Sequence, residues 1–230
     1  MDTPIFSLVG NIGAGKTTLL GKIKDDLKNI LKKDYVVIPE PVNKWTEKFT
    51  DDSGIESMSI LELYYKNPTK YAFCFQMYAL QTRFEQLREM MEIHKGKILI
   101  YERCPISDYN IFAKLLYQSG LMNSHEFYIY KRWFDMTYDI IKPNICGVIY
   151  LNVPISLCAN RIIKRDRDGE GNISIEYLKS LEKVHHEWLY DDSYSKNESN
   201  PPMYEIEFDD EHYEHVNVPK LSNFINKICN

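Results

Sequence analysis

Gly10-Asn11-Ile12-Gly13-Ala14-Gly15-Lys16-Thr17 has the spacing G-x-x-x-x-G-K-[ST] and directly follows the apolar run Ile5-Phe6-Ser7-Leu8-Val9. Those residue types suit polyphosphate chemistry. Glycines let successive backbone N–H groups converge on phosphate oxygens, which a Cβ would obstruct. Lys16 can reach the terminal phosphates, and Thr17 can offer its hydroxyl to Mg²⁺. Thr18 adjoins them, and the helix opening there adds its positive end. A Gly-rich turn with an incidental lysine is the plain alternative, but it would not require a strand before the loop and a helix after it. The chain is expected to bind a nucleoside triphosphate.

Three further groups carry chemistry, and each follows an apolar run. Glu40-Pro41-Val42 comes after 35–39, and Glu102-Arg103 after 97–101. Arg161, Arg165 and Arg167 close a helical pattern and run into Asp168-Gly169-Glu170-Gly171-Asn172. Phosphoryl transfer asks for charge neutralisation, in-line positioning and a base for the acceptor hydroxyl. Glu40 is the candidate base; otherwise it caps the turn before Pro41. Glu102 is the candidate Mg²⁺ carboxylate; otherwise it pairs with Arg103. The arginines suit a lid over about 161–172 that closes on the donor phosphates; otherwise they form a solvated basic face.

The elements that must position these groups are legible as well. Short apolar runs at 5–9, 35–39, 97–101, 147–151 and 203–208 read as buried parallel strands. Helical patterns at about 17–32, 57–94, 107–140, 154–166, 173–192 and 218–228 separate them. The alternation predicts an α/β fold, a five-stranded parallel sheet with helices on both faces. Ligands in such sheets gather beyond the carboxyl ends of the strands. The strand that ends at Glu40 is expected beside the one carrying the phosphate loop.

With 230 residues, 44% hydrophobic and 27% charged, one domain over 1–230 accommodates the chain. A net charge of −5 disfavours a nucleic-acid partner. Cys74, Cys104, Cys146, Cys158 and Cys229 show no paired spacing and read as buried thiols in a reducing compartment. The histidines, including His185-His186 and His212-x-x-His215, lack metal-ligand spacing. No apolar run is long enough to span a membrane. The first strand leaves no room for a targeting segment, so the expected location is cytoplasmic, the alternative being a precursor segment already removed.

The chain resembles the deoxynucleoside kinase family, which includes deoxycytidine, deoxyguanosine and deoxyadenosine kinases. The motifs that carry the resemblance are Gly10–Thr17, Glu40-Pro41-Val42 with Trp45, Phe75-Gln76 with Arg83, Glu102-Arg103-Cys104 with Asp108, and Arg161 to Arg167. They agree in order and spacing from residue 5 to about 190, with Cys104 where the family usually has serine. The resemblance implies a P-loop kinase with a helical lid, using ATP and Mg²⁺ on a deoxynucleoside. It implies that Glu40 accepts the 5′-hydroxyl proton while Arg103 steadies that hydroxyl and the incoming phosphoryl group. Tyr65 and Glu170 would hold the 3′-hydroxyl, Gln76 would meet the base edge, and Trp45, Tyr64, Phe75 and Phe112 would wall the base. Without the resemblance, any one of these aromatics reads more simply as core. Arg83 with Asp108, beside the small Ala79, implies deoxycytidine or deoxypurines over thymidine, unless that pair is only structural. A homodimer is also implied, through long helices within 57–94 and 107–140. Contacts of 208–213 with the donor's adenine are left unassigned.

Two other classes fit less well. A nucleoside monophosphate kinase of thymidylate-kinase type needs a basic pocket for the acceptor phosphate, which Glu40 would repel. A nucleotide switch needs N-K-x-D, and Asn43-Lys44-Trp45-Thr46 lacks the aspartate.

Overall fold

The computed structural model describes residues 3–50, 52–141, 144–166, 173–191, 200–207 and 217–229. Five strands, β1 (Ile5–Gly10), β2 (Tyr35–Ile38), β3 (Ile98–Glu102), β4 (Ile145–Asn152) and β5 (Met203–Glu207), pair in parallel in the order β2-β3-β1-β4-β5. The central strands are apolar at both parities, as a sheet covered on both faces requires. Phe6 and Leu8 meet Leu19, Ile23 and Leu27 of α1 (Lys16–Ile30), with Ile162 of α8 (Ile155–Arg165) and Ile225 of α10 (Val218–Cys229) in the same core. On the opposite face, Ile5 and Val9 share a core with Leu87 of α4 (Pro68–Ile93) and with Leu181, Val184 and Trp188 of α9 (Ile175–Leu189). A third core is helical and joins Trp45 of α2 (Val42–Trp45), Leu61 and Tyr64 of α3 (Ile60–Lys66), Ala79 of α4, and Tyr130 and Phe134 of α7 (Ser124–Ile141).

Two expectations change. First, β3 lies between β1 and β2, so the strand ending at Glu40 does not neighbour the phosphate-loop strand. Burial explains the order. Every residue of β3 is buried, which needs a strand on each side, whereas β2 is half-buried over Tyr35–Val37 and suits an edge. Second, neither long helical pattern is a single helix. The first breaks at Asn67-Pro68, because proline has no N–H to give and is best placed in the first turn of a new helix. There the Asn67 side chain accepts from the Lys70 N–H at 3.2 Å. The second comprises α5 (Pro105–Ser107), a π-helical turn (Asp108–Ala113), α6 (Lys114–Gln118) and α7, with Gly120 at φ +74° in the break. Among the described residues no helix is long and apolar enough to cross a membrane.

Candidate active site

A cavity of about 600 Å³ opens beyond the carboxyl ends of β1, β2 and β3. One side is formed by the loop joining β1 to α1. Gly15 ends this loop at φ +86° and Gly13 stands at φ +76°. A Cβ on Gly13 would lie 2.4 Å from the Cys158 carbonyl oxygen and 2.9 Å from Ile162 Cγ1. Glycine there is required by the approach of α8 as much as by room for phosphate. Lys16 is buried, with Nζ donating to the Gly10 oxygen at 3.1 Å and the Asn11 oxygen at 3.0 Å. The Thr17 hydroxyl donates to Glu102 Oε2 at 2.8 Å, while Glu102 Oε1 lies 4.0 Å from Lys16 Nζ. A hydroxyl and a carboxylate side by side at the mouth of the loop form the hard oxygen set that Mg²⁺ favours.

Ile12, Thr18 and Arg165 also line the cavity. Asn11 and Ala14 do not. The Asn11 amide donates to the Leu178 oxygen at 2.9 Å and so ties the loop to α9, and Ala14 is buried in the core. Arg161 Nη1 donates to the Ala14 oxygen at 2.9 Å. Arg167 and Glu170 lie outside the described residues, as do the second half of the expected lid, 167–172, and the 208–213 stretch.

The other side of the cavity is built on Glu40. Arg83 Nη2 donates to Glu40 Oε1 at 2.6 Å and Arg103 Nη1 donates to Oε2 at 2.8 Å. Arg103 also reaches back to the phosphate loop, where Nη2 meets the Gly10 oxygen at 3.3 Å. Its backbone sits at φ +57°, which costs a non-glycine residue conformational energy and aims the guanidinium between the two halves. Arg83 bridges onward, with Nη1 2.9 Å from Asp108 Oδ1. Asp108 begins the π-helical turn, the kind of helix distortion found often at working sites. Its Oδ2 accepts from Gln76 Nε2 and from the Tyr130 hydroxyl, each at 2.7 Å.

Aromatic rings line this half. Trp45 lies under the Arg83 guanidinium at 4.5 Å and packs edge-on against Phe75 at 5.7 Å, which in turn stacks on Tyr64 at 4.8 Å. Phe112 lies under Arg103 at 5.0 Å, and Tyr65 and Ala79 complete the lining. A phosphate cradle and an aromatic slot thus share one cavity, with a clamped carboxylate between them.

The deoxynucleoside kinase family matches residues 6–230. The chain belongs to that family. It is 34% identical over 201 residues to rat deoxycytidine kinase, covering 80% of this chain and 74% of the relative. A fowlpox virus protein described as a probable deoxycytidine kinase is 30% identical over 204 residues, covering 89% and 78%. Mitochondrial deoxyguanosine kinase of Xenopus laevis is 27% identical over 201 residues, covering 82% and 74%. The protein is therefore a deoxynucleoside kinase, a phosphotransferase.

Electrostatics in this kinase follow from burial. Desolvation, reinforced by Arg103, lowers Lys16 to about 7 against the pull of Glu102 and Glu40. Burial works to raise Glu40, but Arg103, Arg83 and Lys16 outweigh it and hold the carboxyl at about 2. Burial raises Asp108 despite the opposing Arg83 charge. Glu102 pairs with Thr17 rather than with Arg103, so the alternative ion pair suggested by their adjacency is absent.

Sequence reasoning missed three residues of the kinase site. Tyr130 holds Asp108. Tyr177 of α9 lines the cavity and hydrogen-bonds Tyr64. The Thr82 hydroxyl accepts from Trp45 Nε1 at 2.9 Å. None carries a motif; only the helical spacing of Thr82 from Ala79 and Arg83 placed it near recognised residues. The expectation of buried thiols also needs correction: Cys104, Cys146 and Cys158 are buried, but Cys229 is only half-buried and Cys74 on α4 is exposed.

Proposed function

We propose that this kinase moves the γ-phosphoryl group of ATP to the 5′-hydroxyl of a deoxynucleoside, favouring deoxycytidine or deoxypurines over thymidine, in nucleotide salvage. One observation carries the reading: Glu40, gripped by Arg83 and Arg103, stands in a single cavity with the phosphate loop on one side and the aromatic slot on the other. Lys16 and the loop N–H groups bind the donor's terminal phosphates, with Arg161, Arg165 and Arg167 contributing positive charge from the lid. Thr17 and Glu102 would hold Mg²⁺, which when bound neutralises charge on the donor phosphates.

Glu40 receives the 5′-hydroxyl. A carboxylate at about 2 is ionised at every working pH but is a weak base. A loose, metaphosphate-like transition state tolerates that, because the hydroxyl proton becomes acidic only as the new P–O bond forms. Glu40 therefore aligns the nucleophilic oxygen first and takes its proton late. Arg103 spans both halves and steadies the transferring group. Tyr65 and Glu170 hold the 3′-hydroxyl, Gln76 meets the base edge, and Trp45, Tyr64, Phe75 and Phe112 enclose the ring. The buried Arg83–Asp108 pair occupies space that a thymine methyl would need, beside the small Ala79.

The chain acts as one domain, and two copies associate through α7. Ile129, Trp133, Met136 and Ile140 are 44%, 51%, 56% and 60% exposed and recur every three to four residues along one face. Five cysteines without the paired spacing of a disulfide frame suit a reducing, cytoplasmic setting. Neither a nucleic acid nor a membrane has a role in this reading. The test is to compare kcat/KM for the four deoxynucleosides with ATP. Thymidine should be poorest by tenfold or more, on the order of one discriminating contact. Arg83→Met with Asp108→Ala should narrow the gap. Thymidine as the preferred substrate would overturn the selectivity reading.

A further inference from the structure

Gln76 presents a physical problem that the assignment of its role leaves open. A primary amide can offer either its oxygen or its nitrogen to each position of a base edge, so on its own it pairs with a 4-amino or a 4-oxo pyrimidine equally well. Discrimination requires something that stops the amide from turning over. Asp108 supplies it. A carboxylate oxygen accepts and does not donate, so the group 2.7 Å from Asp108 Oδ2 must be the amide nitrogen. The carbonyl oxygen and the second N–H are then left for the cavity in a fixed order. Asp108 in turn can enforce this only if its own carboxylate cannot rotate. Arg83 attracts Oδ1 as an ion pair at 2.9 Å without hydrogen-bonding it, so the Tyr130 hydroxyl, donating to Oδ2 at 2.7 Å, is the directional restraint. All four side chains are buried.

We infer that Tyr130 is a specificity-determining positioning residue, fixing through Asp108 which end of the Gln76 amide faces each position of the nucleobase. Tyr130 reaches the site from α7, outside the cavity lining, and its ring lies parallel to Tyr109 at 6.3 Å. Nothing in that packing uses the hydroxyl, which donates to Asp108 Oδ2 and also meets the Gln76 amide. Charge-assisted hydrogen bonds of this kind are among the strong ones. The inference rests on the reading above that Gln76 meets the base edge.

The test uses deoxycytidine and deoxyuridine, which are isosteric and exchange a 4-amino for a 4-oxo group, reversing the donor and acceptor order along the edge. The wild-type enzyme should favour deoxycytidine in kcat/KM by on the order of a hundredfold, since two hydrogen bonds change polarity. Tyr130→Phe keeps the ring and removes the hydroxyl, and should shrink that ratio about tenfold. A ratio unchanged within twofold, with wild-type preference intact, would overturn the role of Tyr130 alone. Absence of preference in the wild type would instead overturn the base-edge reading, and this inference with it. Should Tyr130→Phe fold poorly, the Asp108→Asn background carries the same readout without leaving a carboxylate short of donors. There, removing the Tyr130 hydroxyl should change the ratio by clearly less than in the wild-type background, because the charged link through Asp108 is gone and only its contact with the Gln76 amide remains. A further tenfold shift in that background would show that Tyr130 acts by some other path and would sink the inference.

Discussion

Lys16 is the residue whose burial has the most direct thermodynamic consequence. With its ammonium lowered to about 7, roughly nine-tenths of the free enzyme carries a neutral Lys16 at pH 8, and roughly one-tenth at pH 6. A triphosphate binds the charged form and returns the amine to its ordinary range. Binding of MgATP should therefore take up about 0.9 proton at pH 8 and about 0.1 at pH 6. The donor's terminal phosphate does not obscure this, because it is already ionised at pH 8. Isothermal titration at pH 8 in Tris and in HEPES measures the uptake, since the observed heats differ by the proton number times the difference in buffer ionisation enthalpy. Affinity should also fall by about tenfold for each pH unit between 8 and 9.5. Lys16→Arg, whose guanidinium is charged throughout, should bind with the same heat in both buffers. Equal heats for the wild type at pH 8 would refute the argument. The same shift sets a sign for stability. Between pH 7 and the ordinary lysine range the unfolded chain holds the proton that the folded chain has lost. The Lys16 contribution to stability therefore rises with pH across that window.

Glu40→Gln should lower kcat by about 10²–10⁴ while nucleoside binding persists. It should also lower the melting temperature, because Arg83 and Arg103 lose their shared anion; near-normal turnover would remove Glu40 from the chemistry. Because Glu40 is held at about 2, its stabilising effect is complete above the usual carboxylate range and is lost only as pH falls toward 2. Any acid limb of activity above pH 4 must come from another group, which a kcat/KM profile of the wild type against Glu40→Asp would reveal. Gly13→Ala should destabilise the fold by about 1–3 kcal/mol and weaken ATP binding, since the added methyl overlaps the Cys158 carbonyl. An unchanged melting curve would contradict the close approach of α8. Trp133→Glu with Ile140→Glu should convert a dimer into a 27.2 kDa monomer by light scattering, and a wild-type monomer at micromolar concentration would dismiss the α7 interface.

What could be read from the chain alone was the chemistry held in local spacing. The phosphate loop needs its glycines, Lys16 and Thr17 within eight consecutive residues, and the apolar strand before it is contiguous with them. The parallel α/β class followed from runs apolar at both parities, which only a doubly covered sheet demands. The break at Asn67-Pro68 was legible too, since asparagine followed by proline is a helix start; it was missed because the apolar period of α3 runs on into α4 without a change of phase. Pairings over long separations were a different matter. Glu40 takes its two arginines from 43 and 63 residues away. Charge alone does not choose among the many basic residues available. That choice depended on β3 entering between β1 and β2, which carries Arg103 to the mouth of the phosphate loop, and on α4 turning Arg83 toward the same carboxylate. Tyr130 and Tyr177 gave no signal because a hydroxyl on an amphipathic helix looks the same whether it meets solvent or a buried carboxylate. Residue types and local spacing thus determined which reaction the chain could perform. The order of the strands and the packing of α4, α7 and α9 decided which side chains share its cavity, because only a packed core brings distant charges within hydrogen-bond reach and makes their partners obligatory.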